Sequence, residues 1–140
     1  MPLYVFDTDI AGFIQQDYPA VLRYLESLAA EDRLVTTIIT FNEDIRGWQA
    51  RCNQARDAFA RSLAYNQLQR ALDFYCQKRC LPFDEVAVKI FDQLRARDKR
   101  IGTNDLAIAA ITLSVNGILV TRNFVDFARI PDLALEDWTT

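Results

Sequence analysis

The sequence predicts an α/β fold, a three-layer α/β/α sandwich around a mainly parallel central sheet. Two observations carry this. Short β-rich apolar runs alternate with longer segments whose apolar residues keep helical spacing, and the segment from Leu106 to Leu113 is apolar almost all round, as a buried helix must be. Strands joined through helices imply right-handed crossovers and parallel pairing, with helices on both faces. The length, 140 residues, suits one domain spanning residues 1–140.

The elements follow in order. Leu3-Tyr4-Val5-Phe6 is a buried first strand, stopping at the polar turn Asp7-Thr8-Asp9. Behind Pro19, residues Val21, Leu22, Leu25 and Leu28 make an amphipathic helix. Leu34 to Thr40, dense in β-branched residues, is the second strand. The stretch from Phe41 to Lys78 has no proline and reads as helix, broken near Gly47 and again around Asn66. Leu81-Pro82-Phe83 is a short third strand, and Asp84 caps a helix carrying Val86, Ile90 and Leu94. Gly102 stops that helix and Thr103 caps the next. Gly117 to Thr121 is the fourth strand, and Leu133-Ala134-Leu135 a short last one.

Composition narrows the chemistry. There is no histidine, which removes imidazole-based triads, paired-histidine ribonuclease chemistry and histidine-ligated zinc. A net charge of −3 gives no global field to attract a polyanion, so any nucleic acid must be held locally. Three cysteines, an odd number, and no signal-like opening stretch point to a reducing cytoplasm. Cys76 and Cys80 could supply half a zinc site, but one further Cys and no His leave it incomplete. No apolar run reaches the length of a membrane span.

In parallel sheets ligands bind beyond the carboxyl ends of the strands, and here those ends carry mostly carboxylates. Asp7 and Asp9 follow the first strand, Glu43 the second, and Asn123 and Asp126 the fourth, while Asp105 opens the buried helix. Any one of them could be a turn or cap residue. Brought together they repel, and each raises the others' pKa unless a cation neutralises them; oxygen donors suit Mg²⁺ or Mn²⁺. Such a cation supports attack of water at phosphorus without histidine. From these residues alone, three classes stay open: a metal-dependent nuclease, an inactive RNA- or protein-binding module, and a phosphohydrolase of small phosphate esters.

Four fragments in order make the chain resemble the PIN-domain nucleases, and within them the VapC-like toxins of type II toxin-antitoxin pairs. They are Val5-Phe6-Asp7-Thr8-Asp9, Thr36 to Glu43 with Arg46-Gly47-Trp48, Ile101 to Ala110, and Leu119 to Asn123 running through Asp126-Phe127 to Trp138. The resemblance implies a PIN-like fold, a metal-dependent endoribonuclease using Mg²⁺ or Mn²⁺ and leaving a 5′-phosphate and a 3′-hydroxyl, and a cognate antitoxin that blocks the site. It also implies a homodimer.

Position by position, the resemblance makes Asp7, Glu43 and Asp105 the catalytic and metal-holding residues. Thr8, Asp9, Asn104, Thr121, Asn123 and Asp126 become supporting groups. Asp9 stands where these toxins often have Asn, and Asn123 falls on the wider family's fourth acidic position. Arg95, Arg97, Lys99, Arg100 and Arg122 could grip RNA phosphates, or the first four could simply suit a helix C-terminus. Arg46, Arg51, Arg56, Arg61 and Arg70 read as a solvated face, and Trp48 as either a core or an antitoxin-facing aromatic.

Overall fold

The computed structural model describes residues 2–29 and 33–140. Five strands, β1 (Leu3–Phe6), β2 (Arg33–Thr37), β3 (Cys80–Leu81), β4 (Ile118–Val120) and β5 (Ala134–Glu136), pair in the order β3-β2-β1-β4-β5. All the pairings are parallel. The helices are α1 (Thr8–Gln15), α2 (Pro19–Ser27), α3 (Ile38–Gln54), α4 (Ala58–Cys76), α5 (Glu85–Arg97), α6 (Thr103–Ser114) and α7 (Phe124–Phe127).

Strand alternation divides the core into two layers. Val5 and Leu119 point to one face, against Leu106, Ile108 and Ile111 of α6; Phe6 and Val120 point to the other, against Ile10, Val21, Tyr75 and Trp138. Burial on both faces is why the strands read as continuous apolar runs. Helix α6 is buried from Leu106 to Thr112. Gly117 precedes β4 where an added Cβ would lie 2.9 Å from Val5 Cγ2 and 3.2 Å from the Leu3 carbonyl oxygen.

Four sequence expectations need correction. Asp7-Thr8-Asp9 is no open turn: Asp7 caps α1, accepting a hydrogen bond from the Ile10 N–H, and the apolar spacing of Ile10, Ala11 and Ile14 sustains that helix. The second strand ends at Thr37, whose side chain accepts from the Thr40 N–H and so starts α3 at Ile38; a satisfied cap outweighs the β preference of Ile38 and Ile39. The long helical stretch breaks neither at Gly47 nor at Asn66 but at residues 55–57, where Ala55 is extended and Asp57 caps α4. Finally, α5 ends at Arg97 and not at Gly102, which itself takes the cap position of α6, leaving Thr103 as its first residue.

The chain runs from β1 through β2 to β3 on one side, then returns to place β4 and β5 on the other. The topological switch therefore lies between β1 and β4, where such sheets open a crevice at their carboxyl ends.

Candidate active site

Asp7 enters that crevice from the end of β1. Its neighbour across the switch is Thr121, one step past β4 on the register that pairs Phe6 with Val120. The Asp7 N–H donates to the Val120 carbonyl at 3.1 Å. Its carboxylate accepts from Thr121 Oγ1 at 2.5 Å and from the Ile10 N–H at 3.0 Å. Only 6% of Asp7 is exposed; burial pushes its pKa up to about 6, against the two hydrogen bonds, and the charges of Asp9 and Asp105 add to the rise.

Glu43 reaches the same edge from the second turn of α3. Thr8 Oγ1 donates to Glu43 Oε1 at 2.6 Å and Asn104 Nδ2 to Oε2 at 3.2 Å, so the first turns of α1 and α6 orient this carboxylate. Asp105 follows Asn104 in α6. Burial raises its pKa first, then the charges of Glu43, Asp126 and Asp9. Asn123 caps α7, accepting from the Asp126 N–H at 3.3 Å while its Nδ2 donates to Asp126 Oδ2 at 3.0 Å and, at 3.5 Å, to Asp105 Oδ2. Its own N–H donates to Thr121 Oγ1 at 3.0 Å. Asp9 is exposed and touches the others through its charge.

The sheet edge thus brings together every sequence-predicted acidic and amide residue. The charges of Asp9 and Asp105 raise the pKa of Asp7, and those of Glu43, Asp126 and Asp9 that of Asp105, so these carboxylates repel one another, and their oxygen donors fit a hard divalent ion. Among the described residues, no three Asp, Glu or Cys side chains close on a single ion position. Magnesium seldom needs that, since one or two carboxylates commonly hold it, with waters and phosphate oxygens completing its shell.

The basic residues are less free than their charges suggest. Arg95 donates to the Ile101 carbonyl at 2.7 Å and to Thr103 Oγ1 at 3.3 Å, with its guanidinium 5.6 Å from the Phe91 ring centre. Arg100 bonds Asp98 at 3.3 Å, which Arg129 also pairs. Arg122 lies 5.3 Å from the Phe13 ring centre. Arg97 and Lys99 are exposed.

Sequence reasoning missed a polar knot beside the site. Asp44 Oδ2 accepts from Gln15 Nε2 at 2.9 Å and from the Tyr75 hydroxyl at 2.8 Å, tying α1, α3 and α4 together one residue from Glu43. Burial and the Asp44 charge hold the Tyr75 phenol far above its ordinary pKa, so it stays a donor. The signal was weak, because Gln15 has a place only once α1 is recognised. Trp48 is not a core residue: it is half-buried on α3, under the guanidinium of Arg51, 4.3 Å from its ring centre.

Fold and site together define an α/β/α domain with a carboxylate-lined crevice at the switch point of a parallel sheet. The chain belongs to the PIN domain family, whose model matches residues 4–133. Ribonuclease VapC1 of Haemophilus influenzae (strain R2866) is 32% identical over 143 aligned positions, covering 98% of each chain. Among solved structures, VapBC-1 from nontypeable Haemophilus influenzae has a TM-score of 0.77 at 29% identity, covering 99% of both chains. VapBC2 from Rickettsia felis, bound to a DNA fragment from their promoter, has a TM-score of 0.78 at 27% identity, covering 97% of this chain and 98% of that one.

Proposed function

We propose that the protein is a metal-dependent endoribonuclease, the toxin of a type II toxin-antitoxin pair, acting in the cytoplasm and restrained by a cognate antitoxin protein. The observation that carries this is the grouping of Asp7, Glu43 and Asp105 at the switch point, in a chain that matches Ribonuclease VapC1 along nearly its whole length. Homodimerisation belongs to the same reading.

Asp7 and Asp105, with Glu43, hold Mg²⁺ or Mn²⁺ in this reading. When bound, such a cation neutralises charge on the scissile phosphate and makes nearby water more acidic. The chain supplies the rest. Thr121 and the Ile10 N–H fix both Asp7 oxygens and oppose its protonation. Thr8 and Asn104 fix Glu43, whose oxygens keep lone pairs that can take the attacking water's proton. Asn123 bridges Asp105 and Asp126 and holds the α7 turn against the crevice. Attack in line leaves a 5′-phosphate and a 3′-hydroxyl.

The test is cleavage of mixed cellular RNA by purified protein with Mg²⁺, with Mn²⁺ and with chelator, using Asp105→Asn to control for contaminating ribonuclease. Metal-dependent cutting that disappears in the variant is expected. Equal cutting by both proteins overturns the assignment, and hydrolysis of a small phosphate ester in preference to RNA overturns the substrate class.

A further inference from the structure

The crevice does not end at Glu43. Two cavities, about 900 and about 730 Å³, share Trp48, Arg51, Gln67 and Arg70 and so form one groove from the site outward between α3 and α4. Its charge changes sign along the way. The carboxylates of Asp17, Glu43 and Asp44 line only the near part. The far part has two arginines, three amides (Asn66, Gln67 and Gln69) and no carboxylate.

Gly47 explains how the groove stays open. Glu43, Gly47 and Arg51 follow at four-residue intervals on one face of α3, and a Cβ at Gly47 would meet nothing within 4 Å. Glycine is a poor residue inside a helix, and no packing contact demands it here. What its missing side chain does is clear a path from Glu43 to Arg51.

We propose that this groove is the track for a single strand of RNA, whose flanking phosphates meet Arg51 and Arg70 and whose bases lie against Trp48 and the amides of α4; this deepens the ribonuclease reading and rests on it. Charge and chemistry favour that occupant. The acidic end suits a phosphate bridged through a cation, while guanidinium groups suit phosphates that have none. An aromatic ring held by a stacked guanidinium, beside side chains that both donate and accept hydrogen bonds, is how single strands are gripped. Five of the eight side chains of the far part carry an amide or a guanidinium, groups that can bond phosphates and base edges.

The test uses full-length protein in chelator with a fluorescein-labelled single-stranded RNA of about 12 nucleotides, within the range such grooves cover. Binding is read by anisotropy and by indole emission. Trp138 is fully buried, so a quench reports Trp48, and Trp48→Phe should abolish it. The double variant Arg51→Ala/Arg70→Ala should bind at least tenfold more weakly, with a salt dependence shallower by roughly 0.7 for each phosphate no longer neutralised. Gly47→Leu fills the path without changing charge; it should match that loss while its melting temperature holds or rises. Wild-type affinity in both variants, with RNA still cut by the wild type when Mg²⁺ is present, overturns the groove alone and leaves it to another ligand, such as a protein chain. No RNA binding or cutting by the wild type overturns the ribonuclease reading with it.

Discussion

Thr121 donates its hydroxyl hydrogen to Asp7 at 2.5 Å, from a position 114 residues away in the chain. The two residues sit at the ends of adjacent parallel strands, and the bond crosses the crevice where the sheet changes direction. It favours ionised Asp7 against burial, which favours the neutral acid.

Removing that bond should therefore raise the Asp7 pKa beyond about 6. In Thr121→Val the acid limb of the pH profile of Mg²⁺ or Mn²⁺ affinity should move to higher pH. Thr121→Ser should restore the profile. An unmoved limb would mean that Asp7 does not govern it.

Asp7 also carries a stability signature. Its pKa is about 6 folded against 3.8 for an ordinary aspartate carboxyl, so the folded state binds more protons between those values. The metal-free protein should gain stability as pH falls from about 6 toward 3.8, and ionised Asp7 should destabilise it above pH 6. Asp7→Asn should flatten that window and raise stability at pH 7, by at most about 3 kcal/mol, while abolishing cleavage. Urea unfolding in chelator at several pH values checks both signs.

Cation binding should be visible without any substrate. Mg²⁺ or Mn²⁺ at a hundred times its Kd should stabilise the wild type by about 2.7 kcal/mol, with a smaller effect in Asp105→Asn. Thermal melts across a cation titration measure this, and equal shifts in both proteins would remove Asp105 from the ion's ligands.

The Asp44 knot holds α3 against α1 and α4 next to Glu43. Tyr75→Phe leaves Asp44 bonded to Gln15 alone, so about 1–2 kcal/mol of stability should be lost. If the knot orients Glu43, kcat should fall while KM changes little. Chemical unfolding and steady-state kinetics separate the two effects.

Gly117 offers a control far from the chemistry. A Cβ there would collide with Val5 Cγ2 and press on the Leu3 carbonyl, and moving a central strand costs more than moving a flexible side-chain tip. Gly117→Ala should destabilise by about 1–3 kcal/mol, read as a lower urea midpoint.

Local patterns make much of this molecule legible. Leu3–Phe6 and Ile118–Val120 announce themselves as buried strands because both faces are covered, and Thr103–Ser114 as a buried helix because it has no polar face. Asp84 capping α5 is equally plain. Caps hidden inside other patterns are not: Asp7 before α1, Thr37 inside a β-branched run, and Asp57 within a long helical stretch each decide where a helix starts through one side-chain hydrogen bond. Periodicity does not register a single bond of that kind.

The fold class, the carboxylates at the strand ends and the exclusion of imidazole chemistry follow from the chain read residue by residue, since composition and hydrophobic period are local properties that each segment carries alone. Packing in three dimensions was needed to place Asp7 against Thr121, to hold Glu43 between Thr8 and Asn104, to join Asp44 to Gln15 and Tyr75, and to let a glycine clear a groove past Trp48. The hydrogen bonds among these residues span 31 to 114 positions, apart from Gln15 and Asp44 at 29. They exist because strand order and helix packing bring distant segments together, and a one-dimensional pattern carries no record of which segments will meet.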